Sequence, residues 1–311
     1  MSNTGFPDRA RGAVVGLAVG DALGAAVEFR GRGTFAPVTG YRGGGAFGLA
    51  PGEWTDDTSM ALCLAESLVE RGGFDPLDQM ERYLRWYRKG HLGVTGTCFD
   101  IGGTTAGALG RFERTREPYS GSTDPRAAGN GSLMRLAPVP VFFAADPAAA
   151  VARSGDSSRT THAAAVCVDA CRYYGGLIAG ALRGASREEL LSPMYAPVPG
   201  LWASAPLAPE VEAVARGSFL RREPPEIRGT GYVVQSLEAA LWAFSRGWNF
   251  RDAVLHAVNL GDDADTTGAI CGQLAGAHYG FDGIPADWRD GLARRDLVVG
   301  LADRLGVARR C

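Results

Sequence analysis

The stretch GDDADTTGAICG, Gly261 to Gly272, places three aspartates within four positions immediately ahead of an apolar run of helical character. Like charges this close repel one another unless water or a cation offsets them, and a helix start needs only one acidic cap. A second stretch, WTDDTSMAL from Trp54 to Leu62, repeats the pattern: Thr55, Asp56 and Asp57 precede Met60, Leu64 and Leu68, which share one helical face. A third, GDALGAAVEF from Gly20 to Phe29, reads as another helix start and adds Glu28. A chain with such motifs near both ends either solvates them separately or folds so that they meet.

Taken singly, each motif is an N-cap, because Asp and Thr satisfy free amide donors and complement the helix dipole, an effect of about 0.5 to 2 kcal/mol. Taken together, they exceed what capping requires. Carboxylates and threonine hydroxyls are hard oxygen donors that suit Mg²⁺ or Mn²⁺ rather than zinc. If TDDT and DADT face one another, they offer four carboxylates and two hydroxyls, enough to bridge two octahedral cations and leave positions for water and substrate. Two cations about 3.5 to 4 Å apart polarise an oxygen-bearing substrate and lower the pKa of a water. Glu28 is an extra carboxylate that could orient or deprotonate that water. This chemistry is hydrolysis at an oxygen-rich centre.

The rest of the chain is compatible with such an enzyme. Its 311 residues, 46% of them hydrophobic, supply ample core, and a net charge of −2 with pI about 6.1 gives no electrostatic footprint for nucleic acid or an anionic membrane. The six cysteines form no C-x-x-C pair and have no histidines at zinc-site spacing, so free thiols in a reducing cytoplasm are expected. The apolar N-terminal run superficially resembles a signal sequence, but Asp21 interrupts it and no clear A-x-A site follows. A soluble, cytoplasmic protein is the expectation.

Helical periodicity dominates. Val166, Ala170, Tyr174 and Leu177 recur at helical steps, as do Leu237, Leu241 and Phe244. Alternating strands are hard to find, and roughly a dozen helices of 10 to 20 residues are expected. Two connections are long: Gly31 to Gly52, glycine-rich and placed to fold over a site as a lid, and Ser192 to Pro209, whose Tyr195 and Trp202 could pack the loop down. Since the acidic motifs are scattered along the chain, one all-α domain spanning residues 1–311 is the simplest arrangement, with two helical subdomains as the alternative.

The motifs GLAVGDALGAAVEF, WTDDTSMAL, CFDIGGTT, GNGSLMRLAPV, TH and GDDADTTGAICG, in this order over nearly the whole chain, resemble those of the ADP-ribosylglycohydrolases. The resemblance implies an all-α orthogonal multi-helix bundle with a central dinuclear metal cleft. By motif it assigns Thr55, Asp56, Asp57, Asp263, Asp265 and Thr266 to two cations, Mg²⁺ or Mn²⁺, and places Glu28 beside the attacking water. Asp100, in CFDIGGTT, is implied to act as acid or base toward the leaving group or to hold the ribose; a plain turn aspartate is the alternative. Gly102, Gly103 and Thr104 let backbone amides approach a phosphate at a helix start. The resemblance also puts Asn130, Gly131 and Ser132 on the diphosphate and ribose, His162 in the ligand site and Tyr232 against the adenine or ribose. Arg135 is either a diphosphate partner or half of an internal ion pair, and Met134 and Leu136 belong to the core.

Two positions depart from the family pattern. Asp262 is a surplus charge expected to face solvent, and Ala264 lacks a hydroxyl that relatives often carry. The activity implied is removal of ADP-ribose from modified protein side chains, first of all from arginine, by a monomer acting on an ADP-ribosylated protein substrate. Hydrolysis of O-linked ADP-ribose, on serine or an acyl group, is the second reading. A non-catalytic ADP-ribose-binding module is the third.

Overall fold

The computed structural model describes residues 5–308. Its helices in chain order are α1 (Phe6–Gly24), α2 (Asp56–Arg71), α3 (Pro76–Lys89), α4 (Gly103–Thr115), α5 (Pro138–Phe142), α6 (Pro147–Arg159), α7 (Ala165–Leu182), α8 (Arg187–Leu190), α9 (Leu201–Ser204), α10 (Pro209–Ala215), α11 (Val233–Arg246), α12 (Phe250–Val258), α13 (Ala264–Tyr279), α14 (Ala286–Gly291) and α15 (Arg295–Ala308). The only sheet among the described residues pairs β1 (Arg30–Gly31) with β2 (Gly261–Asp262), antiparallel. The fold is therefore all-α. Helices shorter than expected, such as α5, α8 and α9, are short turns started by Pro138, Ser186 and Gly200, which helical periodicity cannot register.

The axis of the fold is the antiparallel pair α1 and α13, the most extensive contact in the structure. Gly12, Gly16, Gly20 and Gly24 recur every fourth residue on α1 and meet Gly276, Gly272, Gly268 and Ala264 on α13. At each crossing a methyl group would collide with a carbonyl oxygen of the opposite helix, so the two backbones touch directly. Residues Phe6–Val27 are long and apolar enough to cross a membrane by length and composition, yet nearly all of that surface is buried within the fold. The helices α7, α12 and α15 pack around the pair, and one apolar core runs from Ala10 to Leu305.

Backbone contact fixes the register of α1 against α13 and so brings the end of α1 beside the start of α13. Asp21 is therefore not at a helix start, as the sequence pattern implied, but in the last turn of α1. The strand pair β1 and β2 ties the segment after Glu28 to the segment before Asp263.

The long connections behave differently from each other. Ser192 to Pro209 packs down on α7, with Trp202 donating to the Tyr195 carbonyl at 2.8 Å and lying 6.0 Å from the Tyr173 ring. Gly31 to Gly52 is anchored, as Val38 and Asn259 exchange two hydrogen bonds and Tyr41 donates to the Trp288 carbonyl. Five free cysteines occur among the described residues, and Cys311 lies outside them.

Candidate functional site

Three helix ends converge: the C-terminus of α1 and the N-termini of α2 and α13. Thr55 and Asp263 occupy the N-cap positions of α2 and α13, but neither side chain accepts a bond from its own helix. The capping role that each motif suggests by itself is unused. The start of α2 is held instead from α1: one oxygen of Asp21 accepts the Thr55 amide at 2.9 Å and hydroxyl at 3.0 Å, and the other accepts the Thr58 amide at 3.0 Å and hydroxyl at 2.6 Å.

The two acidic motifs face one another. The Thr55 hydroxyl, whose one proton is shared with Asp21, lies 3.2 Å from Asp265, and Thr266 donates to Asp57 at 3.3 Å, so each motif's threonine reaches the other's aspartate. Asn130 donates to Asp263 at 2.7 Å and also contacts Ser236 at 2.9 Å. Carboxylate oxygens of Asp21, Asp57 and Asp265 lie within 4.8 Å of one another, as do those of Glu28, Asp100 and Asp265. Asp265 thus joins two adjacent acidic clusters.

Burial in this crowd disfavours every charge. Desolvation, followed by the charges of Asp100, Asp263 and Asp21, pushes Glu28 up to about 9. Desolvation and then Asp21 raise Asp100 to about 7, and desolvation raises Asp21 to about 6 against its four hydrogen bonds. Asp56, Asp57 and Asp265 lie well above the usual carboxylate range, first by burial and then by their neighbours. Arg228 is the only arginine or lysine among the described cleft-lining residues, and it is paired with Asp262 at 3.1 Å.

The donor set fits divalent cations. Glu28 Oε2, Asp57 Oδ2 and Asp265 Oδ1 are buried and have no hydrogen-bond partner, which is costly for a carboxylate oxygen unless something positive meets it. Asp21 differs, since four donors occupy the lone-pair sites of its two oxygens. It is a positioning residue, and sequence reasoning did not assign it to the site. The one available signal was an aspartate inside a run otherwise fit for burial.

Above the acids lies a cleft of about 740 Å³ lined by Glu28, Asp56, Asp100, Asp263 and Thr266 on one part of its wall. Thr55, Asp57 and Asp265 sit beneath that lining. Gly102, Gly103, Thr104, Asn130, Gly131 and His162 also line the cleft. Gly102 caps α4 without a side-chain bond, and a methyl on Gly102 or Gly103 would project into open space, so the first amides of α4 are accessible. Gly131 has no such room: a methyl there would sit 2.9 Å from Cε1 of His162 and 3.1 Å from the Thr105 hydroxyl.

His162 is buried, and its Nδ1 lies 2.8 Å from the Thr161 hydroxyl. That hydroxyl accepts from Arg135 at 2.8 Å. A guanidinium only donates, which leaves the Thr161 proton available to Nδ1, and with that bond made the ring presents Nε2–H beside Gly129 and Gly131. Desolvation, then the Arg135 charge, lowers His162 to about 3. Arg135 is neither a diphosphate partner nor half of an ion pair. It is fully buried, donates to the Tyr83 hydroxyl and the Gly131 carbonyl, and stacks on the Tyr83 ring at 4.7 Å.

Two residues expected at the ligand are not among those lining the cleft. Ser132 is buried and accepts from Ser158 at 2.9 Å, because the turn after Gly131 directs it inward. Tyr232 caps α11 at the surface while its backbone pairs with Gly129, leaving Thr230 and Gly231 in the wall. Met134 lines the cleft as well as packing in the core. Asp262 is half-buried at the rim, with a left-handed φ of 56°. No residue from 32 to 52 lines the cleft.

Known proteins are similar to this chain over most of their length. ADP-ribosylarginine hydrolase Tri1 of Serratia proteamaculans is 42% identical over 298 residues, covering 96% of this chain and 79% of that protein. The Tri1 of Pseudomonas putida is 44% identical, covering 96% and 78%. The ADP-ribosyl-[dinitrogen reductase] glycohydrolase of Rhodospirillum rubrum is 33% identical, covering 96% and 94%. A solved structure titled as an ADP-ribosylglycohydrolase-related protein complex superposes with a TM-score of 0.86 at 46% identity, over 98% of this chain and 99% of that one. Residues 2–311 match the family model for ADP-ribosylglycohydrolase, and with a helical fold and an acid-floored cleft beneath that match, the chain belongs to the ADP-ribosylglycohydrolase family.

Proposed function

We propose that this protein is a divalent-cation-dependent hydrolase that cleaves the bond between the anomeric ribose carbon of ADP-ribose and a guanidinium nitrogen of a modified arginine. The observation that carries this reading is the set of unpartnered, buried carboxylate oxygens on Glu28, which lines the cleft, and on Asp57 and Asp265 beneath it, facing a wall that offers free amides at the start of α4. The arginine-hydrolase names of the relatives at 42% and 44% identity support the choice of acceptor.

Thr55, Asp56, Asp57, Asp263, Asp265 and Thr266 would hold two cations, Mg²⁺ or Mn²⁺. When bound, the cations neutralise the carboxylates, polarise the ribose hydroxyls and make the attacking water more acidic. The chain's own residues supply the rest. Free amides of Gly103 and Thr104 at the dipole-positive end of α4 take phosphate oxygens, and His162 Nε2–H adds a neutral donor. Asn130 holds Asp263 in place rather than contacting ligand first.

Water adds at the anomeric carbon, the carbon–nitrogen bond breaks, and the products are ADP-ribose and free arginine side chain. With bound cations holding Glu28 ionised, its open oxygen would take the water proton, and Asp100, whose carboxylate lies within 4.8 Å of that of Glu28 and is raised to about 7, would give a proton to the departing nitrogen. Holding both acids against one bound substrate converts the attack into an oriented, unimolecular event.

A metal-titrated assay on arginine-linked and serine-linked ADP-ribosyl peptides tests the proposal. Release from arginine peptides, abolished by EDTA and restored by Mg²⁺ or Mn²⁺, is expected. Release from serine peptides alone would move the activity to O-linked substrates, and ADP-ribose binding without turnover would make the protein a binding module.

A further inference from the structure

Phe29, Phe47 and Phe99 come from three different segments and form one aromatic strip beside the two acids at the cleft mouth. Phe29 follows Glu28, Phe99 precedes Asp100, and Phe47, from the loop after β1, bridges them with ring centroids 6.3 Å from Phe29 and 5.2 Å from Phe99. Phe29 lines the cleft and is 65% exposed, and it is the one exposed large apolar side chain among the described cleft-lining residues. Its backbone is also in the left-handed region at φ 62°, pinned by its amide donating to the Asp262 carbonyl at 2.7 Å. A bulky residue held there is strained unless the surroundings impose it.

We infer that this strip is the acceptor subsite, and that it recognises the planar guanidinium and aliphatic stem of the arginine bearing ADP-ribose. The inference rests on the arginine reading above and deepens it by naming the residues that select the acceptor. Charge complementarity commits the strip to a cation. Aromatic faces are negative at their centres, Glu28 and Asp100 adjoin two of the rings, and the nearest cleft arginine, Arg228, is already neutralised by Asp262. A guanidinium is flat and weakly hydrated, so it stacks on an aromatic face while its edge remains open to a carboxylate. A serine hydroxyl or an ester oxygen gains nothing from the same surface. The amide-lined start of α4 and the His162 ring line other parts of the cleft, which leaves Phe29, with Phe47 and Phe99 packed in line behind it and outside the lining, for the part of the substrate that is not ADP-ribose.

The test uses the full-length enzyme with saturating Mg²⁺, the variants Phe29→Leu and Phe47→Leu, and Phe29→Tyr as a variant that keeps the aromatic face. KM is measured for an arginine-linked ADP-ribosyl peptide, and inhibition constants for agmatine, as a guanidinium probe, and for ADP-ribose. The leucine variants are expected to raise KM and the agmatine constant by about fivefold, with ADP-ribose inhibition within about twofold of the parent and Phe29→Tyr near the parent in all three. Fivefold corresponds to about 1 kcal/mol. Unchanged KM, no inhibition of the parent by agmatine, or parallel loss of agmatine and ADP-ribose binding would each overturn the assignment. If the parent releases no arginine at all, the proposed function fails; if it does and the leucine variants match it, only the aromatic subsite fails.

Discussion

Asp21 accepts both the backbone amide and the hydroxyl of Thr58 on a single carboxylate oxygen, so the last turn of one helix caps the first turn of another. The same carboxylate holds Thr55 with its other oxygen, which makes α2 start where α1 ends. Asp21→Asn keeps the shape but turns an NH₂ group toward two donors. Bonds to a charged group contribute about 1.5 to 3 kcal/mol each, so this variant should lose about 3 kcal/mol of stability and bind Mg²⁺ or Mn²⁺ at least about tenfold more weakly. Chemical denaturation and calorimetric cation titration measure the two effects, and normal cation affinity in a destabilised protein would contradict the positioning role.

The acidic crowd makes stability depend on pH with a definite sign. Glu28, Asp100 and Asp21 stand at about 9, 7 and 6 in the folded protein, all raised from ordinary carboxylate values. The folded state then binds more protons than the unfolded chain, so their contribution is complete below about pH 4 and is lost as pH rises through those values. Cations held by the ionised acids would reverse the trend. In EDTA the Tm should fall between pH 5 and pH 8, while the increase in Tm on adding Mg²⁺ or Mn²⁺ should grow over the same interval. An increase independent of pH would place the bound cation elsewhere.

His162 has the opposite sign. Its pKa is lowered from 6.5 to about 3, so the stability it contributes is complete above about pH 6.5 and is lost as pH falls toward 3. Nitrogen-15 NMR of the ring should show a neutral imidazole with the proton on Nε2 at pH 6. Thr161→Val removes the hydroxyl that sets this tautomer and should weaken ADP-ribose binding by about three- to tenfold. A ring protonated on Nδ1 in the parent would refute the assigned relay.

The glycine contacts between α1 and α13 leave no room for a methyl group. Gly20→Ala and Gly272→Ala should each cost about 3 kcal/mol or more, because the obstruction is backbone carbonyl on a packed helix rather than a side chain that can turn away. Gly300→Ala, on α15 with open space around it, should be neutral or slightly stabilising. Thermal unfolding of the three variants compares them directly.

Much of this was legible in the sequence because hydrophobic spacing and acid density are local signals. Met60, Leu64 and Leu68 lie buried on α2, and Leu237, Leu241 and Phe244 on α11, as their spacing requires. The role of Asp21 was hidden, since an aspartate in an apolar run reads as an interruption until the amides it caps, more than thirty residues on, are brought to it. The four-residue glycine spacing was visible but reads equally as weak helix propensity. Ser132 and Tyr232 fell outside the cleft lining because a motif fixes which residues are near a turn, not which way each side chain leaves it. Phe29, Phe47 and Phe99 carry no common spacing at all.

The direct contact of α1 and α13 also bears on how such a protein can change over generations. Carboxylates at the end of one helix and the start of the other are geared to a joint that accepts neither a longer side chain nor a slide of one residue. Novelty is thereby channelled into the segments that carry Phe29, Phe47 and Phe99, which can vary in shape while the acidic frame stays put. Relatives acting on different acceptors are expected to differ at those three rings and to agree at the glycines.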